Sequence, residues 1–504
     1  MQKSKFYLTT AIAYTNGKPH LGHALEFILA DAISRYQKLA GQEIYFQTGT
    51  DEFGSKMADT AKELGLSPQE LADQNSEFFR EIMGELGVEA DYFMRTSSEQ
   101  HILGAQALWE KMVANDDIYK GTYKGLYCSG CEAYLAEKDL DENGVCPNHL
   151  KKPQLIEEVN YFFRLSKFNA EIRRLIETDE LKIYPESRKN EMLALVNSED
   201  GLMDISFSRP KEALAWGVPV PNDPDHVMYV WCDALSNYIT GLGYRENSDL
   251  FQSCWPADLQ IIGKDILRFH AGIWIGMLLS AGLKPPKAIL VHGFITSEGQ
   301  KMSKSLGNVV DPKAIVSEFG QDAFRYYLLK EIPTTDDGDF TVNRFVEIYE
   351  ADLANNIGNL LSRVLTLLAK HNDGQVVDFA CNLSCQEIKT RVEAYKSHFA
   401  NYEIKKACEE VLKLANYANK YVEDNKPWEL AKTDKDAAVK LLSNLVNIIR
   451  VVAIMLNPII PIASQKILTS LGLDGKINLS DYEVPLPAGT ATIRGENLFP
   501  KRSS

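Results

Sequence analysis

Pro19-His20-Leu21-Gly22-His23 closes a strand-like run, Phe6-Tyr7-Leu8-Thr9-Thr10-Ala11-Ile12-Ala13-Tyr14, and opens a helix. Leu25, Ile28, Leu29, Ala32, Ile33, Tyr36 and Leu39 fall at helical spacing, with Gly41 as the stop. Both histidines are thereby placed at a helix N-terminus, where unpaired N–H groups and the helix dipole favour an anion. Imidazoles there can donate hydrogen bonds to phosphate oxygens, and Gly22 lets a flat base or ribose approach the backbone. Far downstream, Lys301-Met302-Ser303-Lys304-Ser305 sets two lysines and two hydroxyls between Gly299 and Gly307, a loop suited to phosphate charge. A lone His-x-x-His is a weak pattern. The two stretches in this order, each at a strand-to-helix junction, predict an α/β domain that handles a nucleotide.

Composition narrows the class. At 504 residues the chain is too long for one core and should hold about three domains. Hydrophobic and charged contents of 45% and 24% are those of an ordinary globular protein. Met1 to Lys5 leads directly into a core strand, and no apolar run is read as long enough for a membrane span, Ala271 to Leu283 being the nearest. The expected location is cytoplasmic, with no membrane partner. A net charge of −15 repels phosphate at long range, so any RNA contact must rest on local patches, polar groups and stacking. Eight cysteines in this length do not suggest a disulfide scaffold. Cys232, Cys254, Cys381, Cys385 and Cys408 are expected as reduced thiols.

After the first helix, Glu43-Ile44-Tyr45-Phe46-Gln47 reads as a strand ending in Thr48-Gly49-Thr50-Asp51-Glu52-Phe53-Gly54, with two helices following to about Met112. Strands alternating with helices predict a Rossmann-like parallel sheet whose ligands bind at the strands' carboxyl ends. Asp51 lies at such an end. Its carboxylate could hold an ammonium group or cap a helix, and spacing alone does not separate the two. From about Asp117 the pattern changes to short strands and turns, where Cys128-Ser129-Gly130-Cys131 is followed by Cys146-Pro147-Asn148-His149. Paired ligands with two-residue gaps suit a tetrahedral Cys₃His site for a structural Zn²⁺, with no open coordination position. A redox Cys-x-x-Cys would not need the second pair.

The HLGH and KMSKS stretches together resemble the two nucleotide-binding motifs of class I aminoacyl-tRNA synthetases. Thr48 to Gly54 is similar to the TGTDEHG segment of the methionyl-tRNA synthetase family, and the resemblance extends over residues 5 to 475. In that family the aspartate matching Asp51 contacts the substrate's amino group. Phe53 stands in place of the family's histidine, so any role of that side chain is lost. Trp231, Ala234, Leu235, Tyr238, Ile266 and His270 offer apolar walls with few polar groups. With Ala11, Ile12 and Tyr14 they resemble the family's methionine pocket, in which Ile12's backbone and Tyr238's hydroxyl would face the thioether. Leu235 departs from a proline of some relatives. The resemblance further implies that Gly263 and Asp265 hold the ATP ribose and that Ile295's backbone meets adenine, with Gly22 and Ser303 also at the nucleotide. His20, His23, Lys301 and Lys304 would neutralise the phosphates and the departing pyrophosphate, with Mg²⁺ accompanying ATP.

From Asn343 the chain reads as helices. Leu353, Ile357, Leu360, Val364 and Leu367 form one apolar face, while Asn355, Asn359 and Arg363 line the opposite one. A solvated helix surface explains such a row, yet amides and a guanidinium also suit unstacked base edges. The family's anticodon-binding helix has the same arrangement, and Trp428 matches a tryptophan on which it stacks an anticodon base. A core tryptophan is the alternative at that position. Domain limits are expected at 1–114 and 226–300 for the two halves of the catalytic domain and 115–225 for the inserted zinc-knuckle module. Residues 301–342 would hold the KMSKS loop and linking helices, 343–475 the all-α anticodon-binding domain, and 476–504 a polar tail. The resemblance implies methionine, ATP and methionine-specific tRNA, initiator and elongator, as partners. A monomer is expected, since no dimerising module is visible. A cysteine- or leucine-specific synthetase would need a thiol-reading metal in the pocket or an editing insertion. A non-synthetase nucleotidyltransferase would leave the helical third unexplained, and a non-catalytic zinc-stabilised RNA-binding protein would not require KMSKS.

Overall fold

The computed structural model describes residues 5–128, 133–135, 140–147, 152–301, 310–379, 382–473 and 475–500. It divides into two compact units. One comprises Met1–Pro19, Ile44–Gly84 and Glu89–His292, the other His20–Glu43, Glu85–Val88 and Gly293–Ser504.

In the first unit a seven-stranded sheet runs in the order Ala13–Tyr14, Ile44–Asp51, Phe6–Thr10, Leu259–Gly263, Ala288–His292, Lys182–Tyr184, with Tyr92–Arg95 also pairing with Ile44–Asp51. Every pairing is parallel. Parallel strands covered on both faces read as continuous apolar runs. Leu259–Gly263 and Ala288–His292 are accordingly buried at every position. Phe6–Thr10 has Ile44–Asp51 on one side and the much later Leu259–Gly263 on the other. Such a reversal of strand order opens a ligand crevice at the carboxyl ends. The Ala11 N–H donates to the Ile261 carbonyl at 2.9 Å there, fixing the first loop against the fourth strand of the row.

Two differences from the sequence expectation concern elements that periodicity reports poorly. Helices Ser55–Leu64, Pro68–Glu85 and Glu99–Ala114 replace the expected pair, and the strand Tyr92–Arg95 intervenes. Four residues are too few for an alternating pattern to register. In the insertion the strands are long rather than short. Ile118–Cys128 and Gln154–Phe163 pair antiparallel from Ile118 opposite Phe163 to Tyr127 opposite Gln154. Ala133–Leu135 and Ile205–Ser206 flank them.

The second unit contains Leu21–Leu39 and the helices that follow Gly293. Lys435–Leu456 is long and apolar enough to cross a membrane, a run overlooked in the sequence because Lys440, Asn444, Asn447 and Arg450 interrupt it. Its most apolar window is 89% buried, so it is the central helix of the bundle. The residues expected as a polar tail also pack. Leu479, Tyr482, Leu486 and Phe499 are buried, and Arg450 donates to the Asp481 and Tyr482 carbonyls at 2.7 and 3.3 Å. Burial lowers the Arg450 guanidinium to a pKa of about 10, which still leaves it charged at neutral pH. Arg325 is fully buried. It pairs with Asp31 of Leu21–Leu39 at 2.7 Å and donates to the Leu86, Pro458 and Ile459 carbonyls at 3.1, 3.2 and 3.0 Å.

Cys232, Cys254 and Cys408 are buried and form no disulfide, as expected of reduced thiols. Cys385 instead is disulfide-bonded, and Cys381 lies outside the described residues. A disulfide requires two Cα atoms within roughly 7 Å and Cβ atoms turned toward each other, neither of which spacing in a sequence reports.

Candidate active site

The first unit gathers the expected pocket residues on the short helices after Met228 and around Phe269. Trp231, Ala234 and Leu235 lie on Val230–Leu235, and Tyr238 on Asn237–Thr240. His270 sits in Phe269–Trp274, a stretch of widened π-helical turns of the kind often found at functional sites. Tyr238 and His270 are almost wholly buried, and the Tyr238 hydroxyl lies 2.7 Å from His270 Nε2. His270 Nδ1 lies 2.9 Å from the Ile266 carbonyl. A carbonyl only accepts, so Nδ1 carries the ring proton and Nε2 accepts from the tyrosine. Burial lowers the His270 pKa to about 4, so the ring is neutral at physiological pH. Trp231 stacks on Phe269 with centroids 3.9 Å apart and 11° between planes, and meets His270 edge-on. The Tyr7 hydroxyl donates to the Tyr238 carbonyl at 2.8 Å. Ala11, Ile12, Tyr14 and Ile266 are half-buried.

Asp51 is the last residue of Ile44–Asp51, and the next helix is capped by Gly54. The helix-cap alternative for Asp51 is thus excluded. Its carbonyl accepts from the Thr15 N–H and hydroxyl at 3.0 and 3.1 Å. Phe53 is buried against Trp216, ring centroids 5.1 Å apart. Packing therefore takes the place of whatever polar contact a histidine would make. Gly263 ends its strand beside Asp265. A Cβ at Gly263 would lie 2.9 Å from Asp265 Oδ1, so a side chain there would displace that carboxylate.

In the second unit His20 caps Leu21–Leu39. The Gly22 N–H donates to His20 Nδ1 at 3.1 Å and the His20 N–H to His23 Nδ1 at 3.2 Å, a reciprocal capping box built from two imidazoles. The rings stack with centroids 3.9 Å apart. With both Nδ1 atoms accepting, each neutral ring holds its proton on Nε2. Part of His20 is exposed, yet desolvation by the surrounding protein lowers its pKa from 6.5, so the neutral ring prevails near pH 7. Two Nε2–H donors at a helix N-terminus suit phosphate oxygens.

Ile295 is buried in Ile295–Ser297, which forms an antiparallel hairpin with Gln300–Lys301 and a parallel pair with Gly338–Phe340. The turn residues Glu298 and Gly299 have φ of 54° and 72°, the doubly left-handed geometry of a tight hairpin. Asp339 Oδ1 accepts from the Thr296 hydroxyl at 2.7 Å and the Gly299 N–H at 2.8 Å. Lys301 ends this hairpin, whereas Ser303 and Lys304 lie outside the described residues.

Cys128 closes the strand Ile118–Cys128, and Cys146 follows a turn in which Asp141 Oδ1 accepts from Asn143 and Val145. Both thiols are buried and outside any disulfide, a donor chemistry that fits a thiolate-binding metal. Cys131 and His149 lie outside the described residues, among which no cluster of three metal-ligating side chains occurs.

On the helical surface Asn355 and Asn359 are exposed and Arg363 half-buried. Leu353, Ile357, Leu360 and Val364 are buried opposite them, with Leu368 rather than Leu367 continuing the face. Val364 and Leu368 are four residues apart in the regular helix Asn359–Asn372, an ordinary same-face spacing. Trp428, on Pro427–Thr433, is 37% exposed and so is not a core tryptophan.

Several supporting residues escaped the sequence. Glu52 is fully buried and takes Arg95 Nε and Nη2 at 2.7 and 3.0 Å, with the Ser76 and Ser97 hydroxyls on the same carboxylate. This network fixes the chain immediately after Asp51. His101, buried behind the pocket helices, lies 2.9 Å from the Thr240 hydroxyl. Only the adjacency of Glu52 to Asp51 hinted at any of this.

Comparison with known proteins gives a consistent result. A family model described as tRNA synthetases class I (M) matches residues 6–153 and 142–365, and one described as the anticodon binding domain of methionyl tRNA ligase matches 373–503. Methionine–tRNA ligase of Brucella suis biovar 1 is 41% identical, covering 99% of this chain and 98% of the relative. The enzyme of that name from Thermotoga maritima is 40% identical over 99% of this chain and 80% of its own length. The structure of Mycobacterium tuberculosis methionyl-tRNA synthetase in complex with methionyl-adenylate aligns at a TM-score of 0.95 with 37% identity, covering 99% of this chain and 100% of that one. On these matches across nearly its whole length, the chain belongs to the methionyl-tRNA synthetase family of class I aminoacyl-tRNA synthetases.

Proposed function

We infer that this chain is a methionine–tRNA ligase that joins methionine to its cognate tRNA at the expense of ATP, through methionyl-adenylate. The observation that carries this is the likeness to a synthetase structure holding that adenylate, together with the buried Tyr238–His270 pair set among apolar side chains.

In the first step a methionine carboxylate oxygen bonds to the α-phosphorus of ATP as the bond to the β-phosphate oxygen breaks, giving the mixed anhydride and pyrophosphate. No covalent enzyme intermediate is needed, so positioning and charge neutralisation carry the rate. Asp51 holds the ammonium group. Trp231, Ala234, Leu235, Ile266 and Ala11 enclose the side chain. His270 holds the Tyr238 proton, so the thioether faces a fixed phenol oxygen on one side and Ile12's backbone on another. Gly263 and Asp265 hold the ribose and Ile295 the adenine. His20 and His23 give their Nε2–H donors to the phosphates, and Lys301 and Lys304 neutralise the leaving pyrophosphate. Mg²⁺ bound to ATP would share the phosphate charge. In the second step the terminal ribose of the tRNA attacks the carbonyl and AMP leaves.

Cys128, Cys131, Cys146 and His149 would hold Zn²⁺, whose chemistry is structural because four protein ligands leave no open position. Asn355, Asn359, Arg363 and Trp428 read the anticodon of initiator and elongator tRNA. The chain works as a cytoplasmic monomer. Amino-acid-dependent exchange of pyrophosphate into ATP, run with all twenty amino acids, tests the assignment. Methionine should be strongly preferred, and preference for leucine or cysteine would overturn it.

A further inference from the structure

We propose that Asn419 is a positioning residue for anticodon recognition, holding the Arg363 guanidinium in the orientation in which it reads a base. The proposal rests on the assignment of Arg363 to the anticodon surface. Arg363 lies on Asn359–Asn372 and Asn419 on Ile404–Asn425. Arg363 Nη2 donates to Asn419 Oδ1 at 3.1 Å. Asn419 Nδ2 donates to Asn356 Oδ1 at 2.7 Å and to the Ala415 carbonyl at 3.2 Å, and Asn356 Nδ2 donates to Asn416 Oδ1 at 2.7 Å.

The direction of this chain is set from one end. A guanidinium can only donate, so it draws the amide oxygen of Asn419 toward itself. The Asn419 amide nitrogen must then face Asn356, and the nitrogen of Asn356 must face Asn416. Three amides are thereby locked in one polarity by a single charged donor, and they hold that donor in return. Arg363 needs the support. Its Nε is buried with no hydrogen-bond partner, and among the described residues Asn419 is the partner that the guanidinium has. Planar readout of a base edge depends on the plane of the fork. An arginine ordered only on binding would give up affinity to ordering, so a fork already held binds more tightly and discriminates better. Asn359 and Asn355, exposed about one and two turns before Arg363, show no hydrogen bond to Asn419 among the described residues.

The test compares Asn419→Ala, Asn419→Asp and Arg363→Ala. Aminoacylation is measured with the methionine-specific tRNA transcript and with a transcript carrying one altered anticodon base, alongside methionine-dependent pyrophosphate exchange and Tm. Asn419→Ala should lower kcat/KM for the native transcript by about tenfold, mainly through KM, the scale of one hydrogen bond to a charged group. Discrimination against the altered transcript should shrink in parallel, with the loss confined to the tRNA reaction. Asn419→Asp keeps an oxygen toward Arg363 and, with the Asn356 and Asn416 amides turned to donate in the opposite direction, should restore most of the discrimination. If Arg363→Ala loses discrimination while Asn419→Ala keeps it, the positioning role is wrong and the assignment of Arg363 stands. If Arg363→Ala itself charges and discriminates normally, the assignment of Arg363 is wrong. A fall in exchange and charging together with a large drop in Tm for Asn419→Ala would make the residue structural and overturn the proposal.

Discussion

Tyr238 and His270 show how much one hydrogen bond can specify. The Ile266 carbonyl fixes the imidazole tautomer, the imidazole fixes the phenol proton, and the phenol is held in one orientation. Tyr238→Phe removes the donor and leaves His270 Nε2 unmatched in a buried site, at a cost of roughly 1–3 kcal/mol. The kcat/KM for methionine in pyrophosphate exchange should fall about ten- to a hundredfold, and an unchanged value would remove this pair from substrate recognition. Trp428 makes the complementary case at the surface. Because it is 37% exposed, Trp428→Ala should shift Tm little. A stacked base is typically worth about 1–3 kcal/mol, so charging of tRNA should weaken about ten- to a hundredfold while pyrophosphate exchange persists. Equal losses in both reactions would contradict the stacking role.

At the scale of elements, the hairpin Ile295–Lys301 depends on Asp339, which ties the Thr296 hydroxyl and the Gly299 N–H to the strand Gly338–Phe340. The hairpin ends on Lys301, the first lysine of KMSKS. Asp339→Ala should therefore blur the placement of Lys301 and the residues after it, affecting charge neutralisation as pyrophosphate leaves more than it affects methionine binding. Pyrophosphate exchange should show a reduced kcat with a methionine KM within about twofold of the parent. A raised KM with normal kcat would locate the effect elsewhere. In the insertion, Cys128→Ser should lower both zinc content, measured on the purified protein, and Tm. Full retention of both would argue against a structural metal at this pair.

At the scale of the second unit, Arg325 joins elements distant in sequence: Asp31 on the helix capped by His20, and the turn at Pro458 and Ile459 beyond the central helix. Arg325→Met would leave Asp31 with Arg35 as its described ion-pair partner and strip three carbonyls of a donor. Breaking one side of a buried pair typically costs about 3–5 kcal/mol. Urea unfolding should show a loss on that scale, and a loss below about 1 kcal/mol would mean the cluster relaxes or admits water.

Local spacing determined what depends on neighbours in the chain. The HLGH helix, its histidine cap, the apolar face of residues 353–364 and the paired cysteines are all legible there, because helical period and short gaps place side chains without reference to the rest of the molecule. Tertiary structure decided the rest. It made Asp51 a strand terminus instead of a helix cap, exposed Trp428, buried Lys435–Leu456 and routed Arg363 through Asn419. Each of these turns on which distant segment supplies the partner or the cover. A hydrogen bond such as that between Tyr238 and His270 requires atoms within about 3 Å of each other, a condition set by sheet order and helix packing and not by the residues adjacent in sequence.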